Sequence, residues 1–204
     1  TGEALFPYTT LFRSRRQTAG STERKMAYYP SLLYLKEFRC VVETDEGGND
    51  SPYFLVFVGN RSQENHTDVV RLRMPAWDGE AYSGKLFSPN LWAHNHVDGN
   101  TAVVVALLEE DWDPDIGDMG LTVLRTLMKA KWNAYKDWNL TTAQRATLMA
   151  GHLAAYTKDL LSNDEFIQAK TLAITTGSGD LPLLDFYGDG GHYRVRFKMV
   201  NTQA

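Results

Sequence analysis

Six of the ten residues from Glu109 to Asp118 are carboxylates: Glu109, Glu110, Asp111, Asp113, Asp115 and Asp118. Side chains of one charge packed this densely repel one another. A hard cation that takes about six to eight oxygen ligands relieves that repulsion. A second acidic set, Asp45, Glu46 and Asp50, lies in the Gly-containing stretch Glu43–Ser51. Calcium accepts the irregular geometry that two loops supply, whereas magnesium requires a near-ideal octahedron. The same residues also suit ordinary solvated turns, where Asp and Gly serve backbone geometry. Residue types alone leave both readings open.

A second pattern with chemistry in it is His94-Asn-His96-Val-Asp98. Two imidazoles and a carboxylate at alternate positions can hold zinc or iron and activate a water, the chemistry of a metal-dependent hydrolase. His-x-His-x-Asp is similar to the metal motif of metallo-β-lactamase-fold hydrolases, although Gly99 follows the Asp where that family has a further His. With Gly99 and Asn100 beside it the segment also reads as a polar turn. The remaining catalytic patterns are weak. Cys40 lies inside an apolar run, where a thiol serves packing. There is no Gly-x-Ser-x-Gly, phosphate loop or dinucleotide fingerprint. Enzymatic activity is therefore the less favoured class.

The acidic stretches need rigid elements to present them, and the flanking residues supply strands. Leu33–Val42 is apolar with partial alternation, and Tyr53–Val58 is a β-branched and aromatic run closed by Gly59-Asn60. Val70, Leu72 and Met74 alternate with Arg71 and Arg73, and Pro75 ends that strand. Thr101–Leu108 is a continuous apolar run of the kind found in a central strand, and it leads directly into Glu109. Tyr193, Val195, Phe197 and Met199 face one way while Arg194, Arg196 and Lys198 face the other. Several short strands joined by polar turns predict an antiparallel sandwich or barrel.

Met119–Leu161 has a different period. Leu121, Leu124, Leu127 or Met128, Trp132 and Tyr135 recur every three or four residues, as one face of a helix does. Thr141 with Gln144 forms a capping box that starts a second helix, carrying Leu148, His152 or Leu153, Tyr156 and Leu160 on one face. A two-helix insertion at about 119–161 before the last strands follows. Strand character returns at Thr171–Thr176, and Gly177–Asp180 and Gly188–Gly191 read as turns.

The acidic stretches in this setting resemble a known family. Asp45-Glu-Gly-Gly-Asn-Asp-Ser-Pro-Tyr53 running into Phe54-Leu-Val-Phe57 looks like the first calcium loop of C2 domains. Leu108-Glu-Glu-Asp-Trp-Asp-Pro-Asp-Ile-Gly117 resembles their third. The resemblance implies a divergent, mainly-β, C2-like sandwich. It also implies calcium held between the loops by Asp45, Asp50, Glu109, Asp111, Asp113 and Asp118, and an anionic partner such as phospholipid. Trp112, within the acidic loop, would suit a membrane interface.

Composition narrows the classes further. The chain has 204 residues, 43% hydrophobic and 12% aromatic, which fits one globular domain over 31–204. Its net charge of −4 leaves no basic excess for a general nucleic-acid binder. No apolar run approaches the ~20 residues of a membrane-spanning helix. The single Cys40 excludes an internal disulfide and a multi-cysteine zinc site. Residues 1–30 read as a leader without a secretory pattern. Tyr8–Ser14 within them resembles translated sequencing-linker read-through, which would make Met26 the natural start. A third role is a component of a toxin or larger assembly, with the helical hairpin contacting a protein partner through any exposed apolar face.

Overall fold

A computed structural model describes residues 31–43, 51–73, 81–109, 117–135, 137–160, 165–175, 177–188 and 190–202. The leader therefore lies outside the described residues. Two antiparallel sheets make up the sandwich. The four-stranded sheet is ordered β3 (Asp68–Arg73), β2 (Pro52–Asn60), β6 (Thr101–Glu109), β7 (Glu165–Leu172). The six-stranded sheet centres on β1 (Ser31–Val42) paired with β10 (Gly191–Asn201). β4 (Leu86–Phe87) and β5 (Leu91–Val97) pair with β1; β8 (Gly179–Asp180) and β9 (Leu184–Gly188) pair with β10. Helices α1 (Asp118–Tyr135) and α2 (Thr142–Leu160) follow β6, as the helical period predicted.

Continuous apolar sequence in β2 and β6 has a direct cause: both faces of these strands are covered. Phe54, Val56, Val58, Val103, Val105 and Leu107 point between the sheets, where they meet Leu33, Phe38, Val195 and Phe197. Tyr53, Leu55, Phe57, Val104 and Leu108 point outward beneath Leu121, Leu124, Met128 and Trp132 of α1 and Met149 and Leu153 of α2. The molecule is thus three layers thick, sheet on sheet on helices, with the four-stranded sheet in the middle.

Local rules explain most element boundaries. The Thr141 amide donates to Gln144 Oε1 at 2.9 Å and the Gln144 amide donates to Thr141 Oγ1 at 3.2 Å, which is the capping box the sequence predicts. On α2 the buried stripe is Arg145, Ala146, Met149, Leu153 and Thr157, with Leu148 exposed, so the face is turned from the expected one. Arg145 lies on that stripe, and its guanidinium donates to the carbonyls of Tyr135, the last residue of α1, and Trp138 in the linker, beside the backbone amides of Trp138 and Leu140 that also reach them. β7 begins at Glu165, earlier than the Thr171–Thr176 expectation, and 173–175 lie beyond it. On β1 the inward residues are Leu33 and Leu35, then Phe38 and Cys40. A register shift between Leu35 and Glu37 inserts one residue and exchanges the faces. That bulge is why the sequence shows only partial alternation there.

Helix and sheet approach closely at Gly59. A Cβ there would stand 2.7 Å from Trp132 Cδ2 and 2.8 Å from Phe57 Cζ. Gly59→Ala should therefore lower the unfolding free energy by about 1–3 kcal/mol through overpacking. Urea denaturation measures it, and combining the change with Trp132→Leu should give less than the sum of the two single losses. A Gly59→Ala midpoint equal to that of the parent protein would disprove the close contact.

Candidate functional site

Strand pairing places the openings of the two acidic stretches together. Pro52, the first residue of β2, faces Glu109, the last residue of β6. Glu109 in turn faces Glu165 at the start of β7, and Arg73 at the end of β3 faces Tyr53. One end of the middle sheet thus receives the chain from 44–50 and releases the chain into 110–116. Asp45, Asp50, Asp111 and Asp113 belong to those two segments and lie outside the described residues, as does Trp112.

The remaining two expected ligands are described. Glu109 ends its strand only 5% exposed. Asp118 opens α1, where the free amides of a first turn favour a carboxylate. Its side chain is 96% exposed and its Oδ1 lies 3.3 Å from Arg71 of β3. Segment 110–116 is therefore anchored on β6 at one end and beside β3 at the other. β2 runs between those strands, and segment 44–50 enters along it. The other end of 44–50 is fixed where the Glu43 amide donates to Ser83 Oγ at 3.2 Å. Neighbouring strands stand about 4.8 Å apart.

The histidine motif occupies the far end of the same strands. Asn60 faces Thr101 there, eight rows from the Pro52–Glu109 pair, or about 25–30 Å at ordinary strand rise. The polar-turn reading holds only for its last part, because β5 runs through His94 and His96 to Val97. Asp98 Oδ1 accepts from the Asn100 amide and the Thr101 hydroxyl, both at 2.8 Å, which closes the turn into β6. His94 is buried, and its Nδ1–H donates to the Asn95 carbonyl. His96 takes a left-handed backbone (φ 60°), which breaks the alternation that would aim both imidazoles one way. Its ring packs at 3.8 Å between centroids on His66, a residue the sequence reading passed over. Among the described residues no three His, Cys, Asp or Glu side chains stand where they could share a metal ion.

The buried faces of α1 and α2 pack on the middle sheet, while Met119, Val123, Trp138 and Leu148 of the hairpin remain exposed. No helix among the described residues is long and apolar enough to cross a membrane.

No protein-family model matches the chain, and no curated protein matches it in sequence. Among solved structures, one described as the structure of a C2 domain is similar with a TM-score of 0.40 and 10% sequence identity, over 84% of this chain and 98% of that one. The antiparallel sandwich stands on the chain's own strand pairing, independently of that likeness.

Electrostatics at the histidine end give a pH dependence. Burial lowers the His94 pKa, with Asp68 partly opposing, and burial together with the His96 charge lowers that of His66. The unfolded chain, with ordinary histidines near 6.5, then binds protons that the fold does not. Stability is complete above that value and should fall as pH drops through it, well before the paired Asp180 and Asp185 protonate below 3.8. Unfolding midpoints measured from about pH 8 to about pH 5 should decline. His66→Asn should flatten the decline only in part, since burial also lowers the His94 and His152 pKa values, and a flat profile in the parent protein would contradict the burial of these rings.

Proposed function

We propose that this protein is a C2-like binding module whose two acidic segments take calcium and use it to bridge to an anionic partner such as a phospholipid surface. The pairing of Pro52 with Glu109 carries the reading, because it opens both segments at one end of one sheet. The donor set Asp45, Asp50, Glu109, Asp111, Asp113 and Asp118 consists of hard oxygen ligands and suits calcium. Asp118 contributes least in this reading, since Arg71 already lies against it. Charge supplies the need for a bridge: an acidic loop pair repels phosphate until a cation neutralises it.

A ligand bound only by the folded state raises its stability, by about 2.7 kcal/mol at a hundredfold excess over Kd. The melting temperature should therefore rise with calcium at roughly millimolar concentration. Asp111→Asn combined with Asp113→Asn should abolish the rise while leaving the calcium-free melt close to that of the parent protein. Sedimentation with phosphatidylserine vesicles should then require calcium and be lost in the same variant. If calcium leaves the melt of the intact protein unchanged, the proposal fails.

A further inference from the structure

The solvent face of the six-stranded sheet carries a row of side chains that the acidic end does not use. The bulge between Leu35 and Glu37 turns Arg39 outward on β1, directly opposite Arg194 on β10. Leu86 continues the row on β4 and Asp185 on β9. Like charges placed opposite each other weaken a strand pair, so two facing guanidiniums need a reason. Their neighbours are compensated. Arg194 Nε donates to Asp185 at 2.8 Å, and Asp185 also binds His192 Nε2 at 2.8 Å. Arg196 lies 3.7 Å from Glu37 and 3.4 Å from Asp180, and Glu37 also lies 3.7 Å from Lys36. Arg39, in contrast, is exposed and makes no hydrogen bond or ion pair among the described residues.

A depression of about 240 Å³ lies between them, lined by Glu37, Arg39, Leu86, Leu183, Arg194 and Arg196. Two of its walls are apolar and open to water: Leu86 is 59% and Leu183 43% exposed. The space is enough for a charged group with a short chain.

We propose that this depression binds an oxyanion joined to an apolar group, with the charge between Arg39 and Arg194 and the tail on Leu86 and Leu183. Guanidinium forks match carboxylate and phosphate oxygens in pairs. Asp185 holds Arg194 through Nε, which leaves the terminal nitrogens to face a second partner. Glu37 is neutralised by Lys36 and Arg196, so the excess positive charge sits at Arg39. Carboxylate and phosphate share this chemistry, and the probes below separate them.

The test is an NMR titration of the whole protein with hexanoate and with butyl phosphate, set against acetate and inorganic phosphate. Saturable shifts are expected at amides around Arg39 and Arg194, with the tailed anions binding more tightly than the tailless ones. The tighter of the two tailed anions identifies the head group. Arg39→Gln should weaken binding by about tenfold or more. Arg39→Lys, which keeps the charge and loses the fork, should also weaken it, and Leu183→Ser should weaken only the tailed anions. Arg39 is exposed, so Arg39→Lys should retain the parent melting temperature, and Arg39→Gln, which removes a like charge facing Arg194, should retain or raise it. Absence of saturation, unchanged affinity in Arg39→Gln, or equal binding of tailed and tailless anions would each overturn the proposal. Calcium is absent from the titration, so its outcome is separate from that of the calcium melt.

Discussion

β2 and β6 face each other over nine rows, from Pro52–Glu109 to Asn60–Thr101, with apolar side chains covering both of their faces. That two-sided burial sets everything else in place. A strand covered on one face only would need polar residues at every second position; here Val103 to Leu108 admit none. The inner face requires the six-stranded sheet and the outer face requires a helical layer. Remove either cover and a row of Val, Leu and Phe side chains would meet water, each at a cost of about 1.5–3 kcal/mol. The hairpin of α1 and α2 is thus part of the core.

The same pairing organises the ends. Because the two strands are in register along their whole length, their termini coincide, and the chemistry divides between two poles about 25–30 Å apart. Acidic segments open at the Pro52–Glu109 pole. At the other pole Asn60 Nδ2 donates to the His96 carbonyl and to Thr101 Oγ1, which locks the β5–β6 turn against β2. A carboxylate cluster and an imidazole cluster could form one site if they met. The strand ends that carry them are held too far apart for one shared site.

Much of this was legible in the residues. The alternation of Tyr193, Val195, Phe197 and Met199 gave β10 and its inward face, and the stripe Leu121, Leu124, Met128 and Trp132 gave α1. Thr141 and Gln144 marked the start of α2 because a cap is a local device. What escaped was decided by distant contacts. β5 reads as polar because His94, Asn95 and His96 compose it, yet pairing with β1 makes it a strand. Arg145 was unreadable as a buried residue, since its partners are carbonyls at the end of another helix. Of the acidic site, the residue types were legible and the meeting of their flanking strands needed the register. Of the arginine row, Arg194 and Arg196 were legible on the outer face of β10, while Arg39 was hidden because a bulge decides which face it occupies.

The pairing of β1 with β10 has a consequence for the living cell. Ser31 bonds to Asn201 across a separation of 170 residues. A ribosome adding about 5–20 residues each second takes roughly 10–30 s between the two strands. Throughout that interval β1 can pair with β4 and β5 on one edge but lacks β10 on the other, while the middle sheet and its helices can already assemble. The order of synthesis therefore favours a helix-backed sheet first and closure of the sandwich last. A nascent chain halted before β10 would display a sticky open edge, the kind of surface that chaperones exist to shield.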